Sequence, residues 1–415
     1  MISGSSRMSS AWKTAVMVLA IALGPSLHAQ KEAEVPARPH LDPGSDSNSA
    51  KANYLYGLRV ISDDPRESYR AFYWATRIDP ASADFWYARW VARQIILSSR
   101  DFTVAYDIRL TKRSAAQLAV DSLLFRAYAL DPFFYHSLLR PFNQRLVLAR
   151  ISDRDPTHNT AAANSDVSVR LERKSYEGWI LYADQRFDDA LKAYANELHN
   201  GRAPLLTRLD IHEMRAELFA HVNNLDSARA EVQEAIAESR LRGSRDRVLV
   251  FDSTTMLERE LGAVDERAGR GDDARAIYAH ILEENAMFFP AHVRLAGLAM
   301  RRADTLTAVS EMLSAVQIEP NDPALRYGYA AILVDARRDA DAAEQLRKAI
   351  ALDPYYSAPY LLMASIADVE DYKEEAVAQY QSFTAHAEGT DPDLPRVKGR
   401  LAKLSSSQNA IPPRD

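Results

Sequence analysis

Small residues recurring at a fixed step of 34 constrain this chain more than any other feature. Ala274, Ala308, Ala342 and Ala376 are spaced 34 residues apart, and other positions keep the same phase. Twelve residues ahead of each alanine stands a second small residue (Gly262, Ala296, Ala330, Ala364), itself preceded by a large one (Leu261, Leu295, Tyr329, Met363). Four residues after each alanine comes another large side chain (Tyr278, Met312, Leu346, Tyr380), and Pro320 and Pro354 close two of the units. A unit of this length holds two amphipathic helices and a short turn. It cannot bury its apolar faces alone, so units must stack in a row. Small residues at a crossing let the helix axes approach, and the large residue beside them fills the gap. Only 14 glycines among 415 residues, 47% of them hydrophobic, agree with a long helical body rather than one compact core.

This pattern resembles the tetratricopeptide repeat, whose consensus has small, small, aromatic and proline residues at those places. The resemblance covers most of residues 52–385 once looser units are included. It implies an all-α fold, a right-handed superhelical solenoid of antiparallel helix pairs. It also implies that positions two, five, nine and twelve of each first helix line a concave binding face. Carried onto the regular units, these are Met256, Arg259, Ala263 and Glu266; Val293, Gly297 and Met300; Tyr327, Ala331 and Val334; Leu361, Ser365 and Asp368. The partner-binding residues expected from this set are Met256, Arg259, Val293, Met300, Tyr327, Val334, Leu361 and Asp368. The lysine and asparagine clamp with which chaperone-binding members grip a C-terminal carboxylate is missing, so that partner is not implied. A largely apolar groove suits an amphipathic helix or an extended peptide. The alternative is that this face packs on the chain's own C-terminal helix or on another copy, since apolar patches mark interfaces of either kind.

Along the chain, Arg7, Lys13, the apolar run Ala15–Leu23 and Ala29 before Gln30 read as a secretory signal over residues 1–29. That run is too short for a span of about 20 residues, and nothing later is long and apolar enough to replace it. The expected location is therefore periplasmic or secreted. Residues 30–50, with Pro36, Pro39, Pro43 and a polar stretch from Ser45 to Ser49, read as a flexible leader. Residues 51–150 read as irregular helical repeats, with Asp79-Pro80 and Asp131-Pro132 as stops and surplus residues expected around Ser98 to Ser114. Phe85, Trp86, Tyr87 and Trp90 fit a buried stripe, or alternatively a shelf for stacking carbohydrate. Residues 151–170 read as a loop. Asp153 and Asp155 lack the glycine and glutamate of a calcium loop. Residues 171–250 are irregular repeats, with extra residues expected near Gly201–Pro204 and Arg242–Asp246. Residues 251–386 form the regular array, 387–404 a capping helix and 405–415 a disordered tail.

The formal net charge of −6 leaves no excess of cations for a phosphate backbone, so nucleic acid is not an expected partner. With no cysteine in the chain, disulfides and thiolate chemistry are excluded. His212-Glu213 is followed by Ala216 where a zinc-binding helix needs a second histidine, and there is no nucleophile elbow or phosphate loop. Paired acids such as Asp272-Asp273 and Glu374-Glu375 lie at helix starts, where they favour the helix dipole. No catalytic, cofactor-binding or metal residues are expected, and the chain is not expected to be an enzyme. The expected function is that of an exported scaffold binding a protein or peptide, with no integral membrane span after signal cleavage. A structural or self-associating component of an envelope assembly or polymer-export machine is the alternative, and self-association stays open in both cases.

Overall fold

A computed structural model describes residues 35–97, 115–132, 177–200, 208–242 and 254–409, and the described residues form 17 helices and no strand. The expectations for the signal segment, for Ser98–Ser114, for Asp153 and Asp155, and for Gly201–Pro204 lie outside them. The first group of helices is α1 (Ala50–Val60), α2 (Pro65–Ile78), α3 (Ala83–Leu97) and α4 (Ala115–Leu130). The second is α5 (Glu177–Ala183), α6 (Phe187–Asn200), α7 (Arg208–His221) and α8 (Leu225–Arg242). The regular array follows: α9 (Thr254–Arg267), α10 (Gly271–Glu284), α11 (Phe289–Arg301), α12 (Thr305–Ile318), α13 (Pro323–Asp335), α14 (Asp339–Leu352), α15 (Ala358–Val369) and α16 (Lys373–His386). Helix α17 (Leu394–Asn409) ends the row. It runs five residues beyond the expected cap, to Asn409, through part of the stretch read as tail. Within each group successive helices pack as antiparallel neighbours.

The contact that sets the spacing inside a pair is legible atom by atom. A Cβ added at Gly57, Gly178 or Gly262 would lie 2.5, 2.4 or 2.5 Å from a ring carbon of Phe72, Tyr194 or Tyr278. The ring of the second helix thus lies directly on the backbone of the first, and only glycine leaves room. Where the first small residue is Ala296, Ala330 or Ala364, the opposing residue is Met312, Leu346 or Tyr380, and all six are buried. The device also organises the irregular first half. In its opening unit, Ser68 takes the place of the second alanine, fully buried, and donates its hydroxyl proton to the Gly57 carbonyl at 2.9 Å.

The turn within each pair is equally regular. Gln185, Asn223, Gly269, Ala303, Arg337 and Asp371 all have φ between 58° and 76°, each seven residues after the small residue of its first helix. The amide of the next residue then reaches back to the helix, as in Arg270 N to Asp265 O at 2.8 Å and Arg338 N to Leu333 O at 2.9 Å, closing off carbonyls that the helix end leaves free. Five of these six left-handed positions are not glycine, so the turn is held by packing and hydrogen bonding against the local preference of the chain. The opening unit is one residue shorter and has no such position. Part of the surplus expected between the second and third groups lies inside α8, which has 18 residues against 14 in α10, α12, α14 and α16.

Two readings of the first hundred residues are settled by contacts. The aromatic stripe is core: Tyr87 is fully buried, Phe85 lies 5.1 Å from Tyr54, and Trp86 donates its indole proton to Pro80 O at 2.9 Å. Residues 35–49, read as a loose leader, are instead laid along the helices. Trp74 donates to the Pro36 carbonyl at 3.0 Å, the Arg38 guanidinium stacks 3.8 Å from the Trp74 ring, and Asn48 donates to the Ala385 carbonyl at 2.9 Å. A composition rich in proline and serine signals the lack of a helix, not the lack of partners.

Two substitutions of opposite sign test this account in urea unfolding. Gly262→Ala should cost about 1–3 kcal/mol through overpacking against Tyr278. Arg337→Gly should gain about 1 kcal/mol by removing the left-handed penalty.

Candidate protein-interaction surface

The expected binding residues lie on the first helices α9, α11, α13 and α15, but the chain itself covers much of that face. Met256 and Arg259 are 2% and 1% exposed. The Tyr128 hydroxyl of α4 donates to the Met256 carbonyl, and Arg259 donates to the Ala129 carbonyl at 3.3 Å. Phe125 stands edge-on to Phe288 and Phe289 at 6.4 and 6.0 Å. Together Phe125 and Ala129 join the apolar cluster that takes in Val293, Tyr327 and Val334. At the far end, Leu361 packs in the cluster of Leu394, Val397 and Leu404, and the Asp368 carboxylate receives two bonds from Arg400 of α17, at 2.8 and 2.7 Å. Val293, Met300, Tyr327 and Val334 are half-buried on α11 and α13.

Position twelve of the units follows one rule. Where it is acidic, an arginine two helices further along takes it. Glu266 accepts from Arg294 at 2.7 and 2.6 Å and from the Tyr278 hydroxyl at 2.9 Å, and Arg301 joins at 2.5 Å. Burial alone would raise this carboxyl, but the Arg294 hydrogen bonds and charge, helped by Arg301 and Tyr278, hold it below the usual range. Asp368 sits in the same relation to Tyr380 and Arg400, and the Arg400 hydrogen bonds hold it low as well. These two acids therefore join unit to unit. Met300 and Val334 occupy the equivalent place in the two middle units, where no such pairing closes the face.

A second line of contacts runs along the turns between units, where sequence reasoning placed nothing functional. Arg77 of α2 pairs with Asp353 at 2.8 Å, and Arg126 of α4 pairs with Asp322; both carboxylates are almost wholly buried. Asp322 caps α13, accepting from the Ala324 and Leu325 amides at 2.9 and 3.1 Å, while its other oxygen faces Arg126. Burial pulls the Arg126 guanidinium down to about 10 against the charge of Glu319, so it stays protonated at neutral pH. Trp74 meets Tyr355 edge-on at 4.8 Å, and the Gly389 amide donates to Asp46 at 2.6 Å. The only sequence signal was the aspartate near a proline, which reads as a helix stop and says nothing of a distant arginine.

Among the described residues, one group has the composition of a metal site: Glu258, His280 and Glu284, with candidate ligand atoms within 4.8 Å of one another. Arg240 already bonds the buried Glu258 at 3.0 Å, supplying the positive charge that a cation would bring.

A polar bridge also recurs across the pairs. His212 meets Glu231 at 2.7 Å, His292 meets Glu311 at 2.6 Å, and Arg326 donates to Gln345 at 2.8 Å, at equivalent places in three units. With the 34-residue step, the ring-on-glycine contact, the left-handed turn residue and this bridge all recurring in register, the architecture is decided. The array is tetratricopeptide-like. No protein-family model matches this tetratricopeptide-like chain, and no curated protein does. Solved structures overlap it at low identity, the following among them. The C-terminal part of a tetratricopeptide repeat-containing protein from Cytophaga hutchinsonii is 12% identical, with 57% of this chain and 89% of that one covered and a TM-score of 0.46. YrrB, a tetratricopeptide protein described as having an unusual peptide-binding site, is 15% identical over 51% of this chain and 100% of its own, with a TM-score of 0.38. MamA is 12% identical over 45% of this chain and 96% of its own, with a TM-score of 0.35.

The bridge between His292 and Glu311 makes the array's stability depend on pH. The hydrogen bond to Glu311 raises the His292 imidazole above its ordinary 6.5. Its contribution is therefore complete below about pH 6.5 and is lost as pH rises through the higher folded value. His292→Gln should flatten that part of a stability profile measured by urea unfolding between pH 5 and 9.

Proposed function

We propose that this chain is an exported scaffold that binds a protein or peptide through the first-helix face of its C-terminal units. The observation that carries the proposal is the run Val293, Met300, Tyr327 and Val334. These side chains sit on two successive first helices, remain half-buried rather than sealed, and belong to the stretch between the α4-covered start and the α17-covered end of the face. The run has neither a cation nor an anion among its members, so it suits an apolar side of a helix or an extended peptide rather than a charged terminus. Met256, Arg259, Leu361 and Asp368 belong to the same face and frame it from either end. Export rests on the N-terminal segment, with maturation before Gln30 leaving the helical body intact.

Affinity capture from envelope extract with the mature protein is the test. Tyr327→Glu combined with Val334→Glu should reduce partner recovery at least tenfold while leaving the far-ultraviolet circular dichroism unchanged. Undiminished recovery would remove the proposal. Export is tested separately by mass spectrometry of the protein produced with its N-terminal segment, which should show a mature chain starting at Gln30.

A further inference from the structure

Helices α2 and α3 depart from the rest of the chain in charge. Together they hold five arginines (Arg66, Arg70, Arg77, Arg89 and Arg93) and two acids, Glu67 and Asp84, in a protein whose formal net charge is −6. Arginines and rings alternate between the two helices. Arg93 lies 5.6 Å from the centre of the Tyr69 ring, and Arg89 lies 5.5 Å from Tyr69, 4.6 Å from Tyr73 and 5.5 Å from Trp86. Arg77 follows at 6.0 Å from Tyr73. Two members of this set are already neutralised, Arg77 by Asp353 and Arg70 by Glu67. The half-buried Arg89 and Arg93 are not. Arg89 donates only to neutral hydroxyls, from Nε and Nη2 to Tyr69 at 3.4 Å each and from Nη1 to Thr76 at 3.2 Å. Arg93 makes neither a hydrogen bond nor an ion pair among the described residues.

We propose that Arg89 and Arg93, flanked by Tyr69, Tyr73 and Trp86, form a docking site for an acidic linear peptide, separate from the first-helix face of α11 and α13. Like charges four residues apart on one helix repel each other, and a carboxylate set between or beside them removes that cost. Stacking on the rings holds the guanidinium planes in place, so the forked geometry that suits a carboxylate is present before the ligand arrives. The hydroxyl contacts of Arg89 are long and neutral. A carboxylate replaces them with shorter, charge-assisted bonds. Partial burial of both arginines weakens screening by salt, which makes each such bond stronger than at an open surface. Spacing selects the form of the ligand. Side chains at i and i+4 of a helix lie about 5–6 Å apart, and alternate side chains of an extended segment lie about 6.5–7 Å apart. Acids two residues apart in an extended peptide therefore meet one arginine each, with the residue between them turned away. The rings beside the arginines cover the carbon stems of those acids.

The full chain serves for the test, with a fluorescein-labelled hexapeptide alternating glutamate and serine as the probe and fluorescence anisotropy as the readout. Binding should saturate, and the same peptide with glutamine in place of glutamate should not bind. Arg89→Gln/Arg93→Gln should weaken binding at least tenfold. Arg347→Gln/Lys398→Gln removes two exposed charges elsewhere and should leave the affinity within twofold. Arg93 has no hydrogen-bond partner to lose, so Arg93→Gln alone keeps the test open should the double variant fail to fold, and it should weaken binding at least threefold. Affinity unchanged by both arginine variants, or reduced as much by the distant pair, would overturn the inference. Inorganic phosphate or polygalacturonate displacing the peptide at a lower concentration of charge than the unlabelled peptide itself would also overturn it, assigning the two arginines to a free anion or a polysaccharide.

Discussion

Everything in this molecule depends on how closely two helices of one unit approach, and that distance is set by a ring lying on a backbone with no side chain between them. Tyr278 over Gly262, Tyr194 over Gly178 and Phe72 over Gly57 are the tightest versions. The same spacing with alanine admits Met312, Leu346 or Tyr380. In the six units where the two small residues stand twelve apart, close approach goes with a turn that closes through a left-handed residue, and it brings the polar positions of the two helices within hydrogen-bond reach, so that His292 meets Glu311 and Arg326 meets Gln345. A wider pair would lose all three at once. Repetition of the contact explains why the core runs as a continuous strip along the row.

Junctions between units are electrostatic as well as apolar. Glu266 gathers two arginines and a tyrosine from following helices, and Asp368 holds the terminal helix through Arg400. Asp265, fully buried, joins the second group of helices to the array by pairing with Arg229 and Arg270 at 2.9 and 2.7 Å. Buried pairs add little net stability compared with apolar packing, but they penalise any register in which a partner is missing. In a row of near-identical units, that penalty distinguishes one neighbour from another. The seam between the first four helices and the array uses the same means on a larger scale, assigning each arginine to one turn.

How much could be read beforehand follows from the range of the interactions. The period, the helix pairs, the packing positions Ala274, Ala308, Ala342 and Ala376, and the core role of Tyr87 and its neighbours are local in sequence, because each depends on side chains fewer than 34 residues apart. The turn residues were missed because Ala303, Arg337 and Asp371 have no shared chemistry; their common feature is a backbone angle imposed by packing. Residues 35–49 were misread because their partners lie outside the stretch itself, Trp74 38 residues beyond Pro36 and Ala385 and Gly389 more than 300 residues away. The period placed the expected positions on the first helices, yet nothing local indicated that Tyr128 and Ala129 would bond to Met256 and Arg259.

The sequence by itself determined the repeating unit, since a 34-residue alternation of small and large residues admits one way of pairing and stacking helices. Only the tertiary structure decided that the chain turns back so that its first helices lie along the turns of its last units. The reason is physical. Stacking is driven by apolar periodicity, which every unit displays, whereas the turn-back rests on single long-range contacts: the pairings of Arg77 with Asp353 and Arg126 with Asp322, and the burial of Tyr128 and Phe72 in one cluster with Met256, Tyr278 and Phe288. Nothing in the sequence near any of these residues points to its partner.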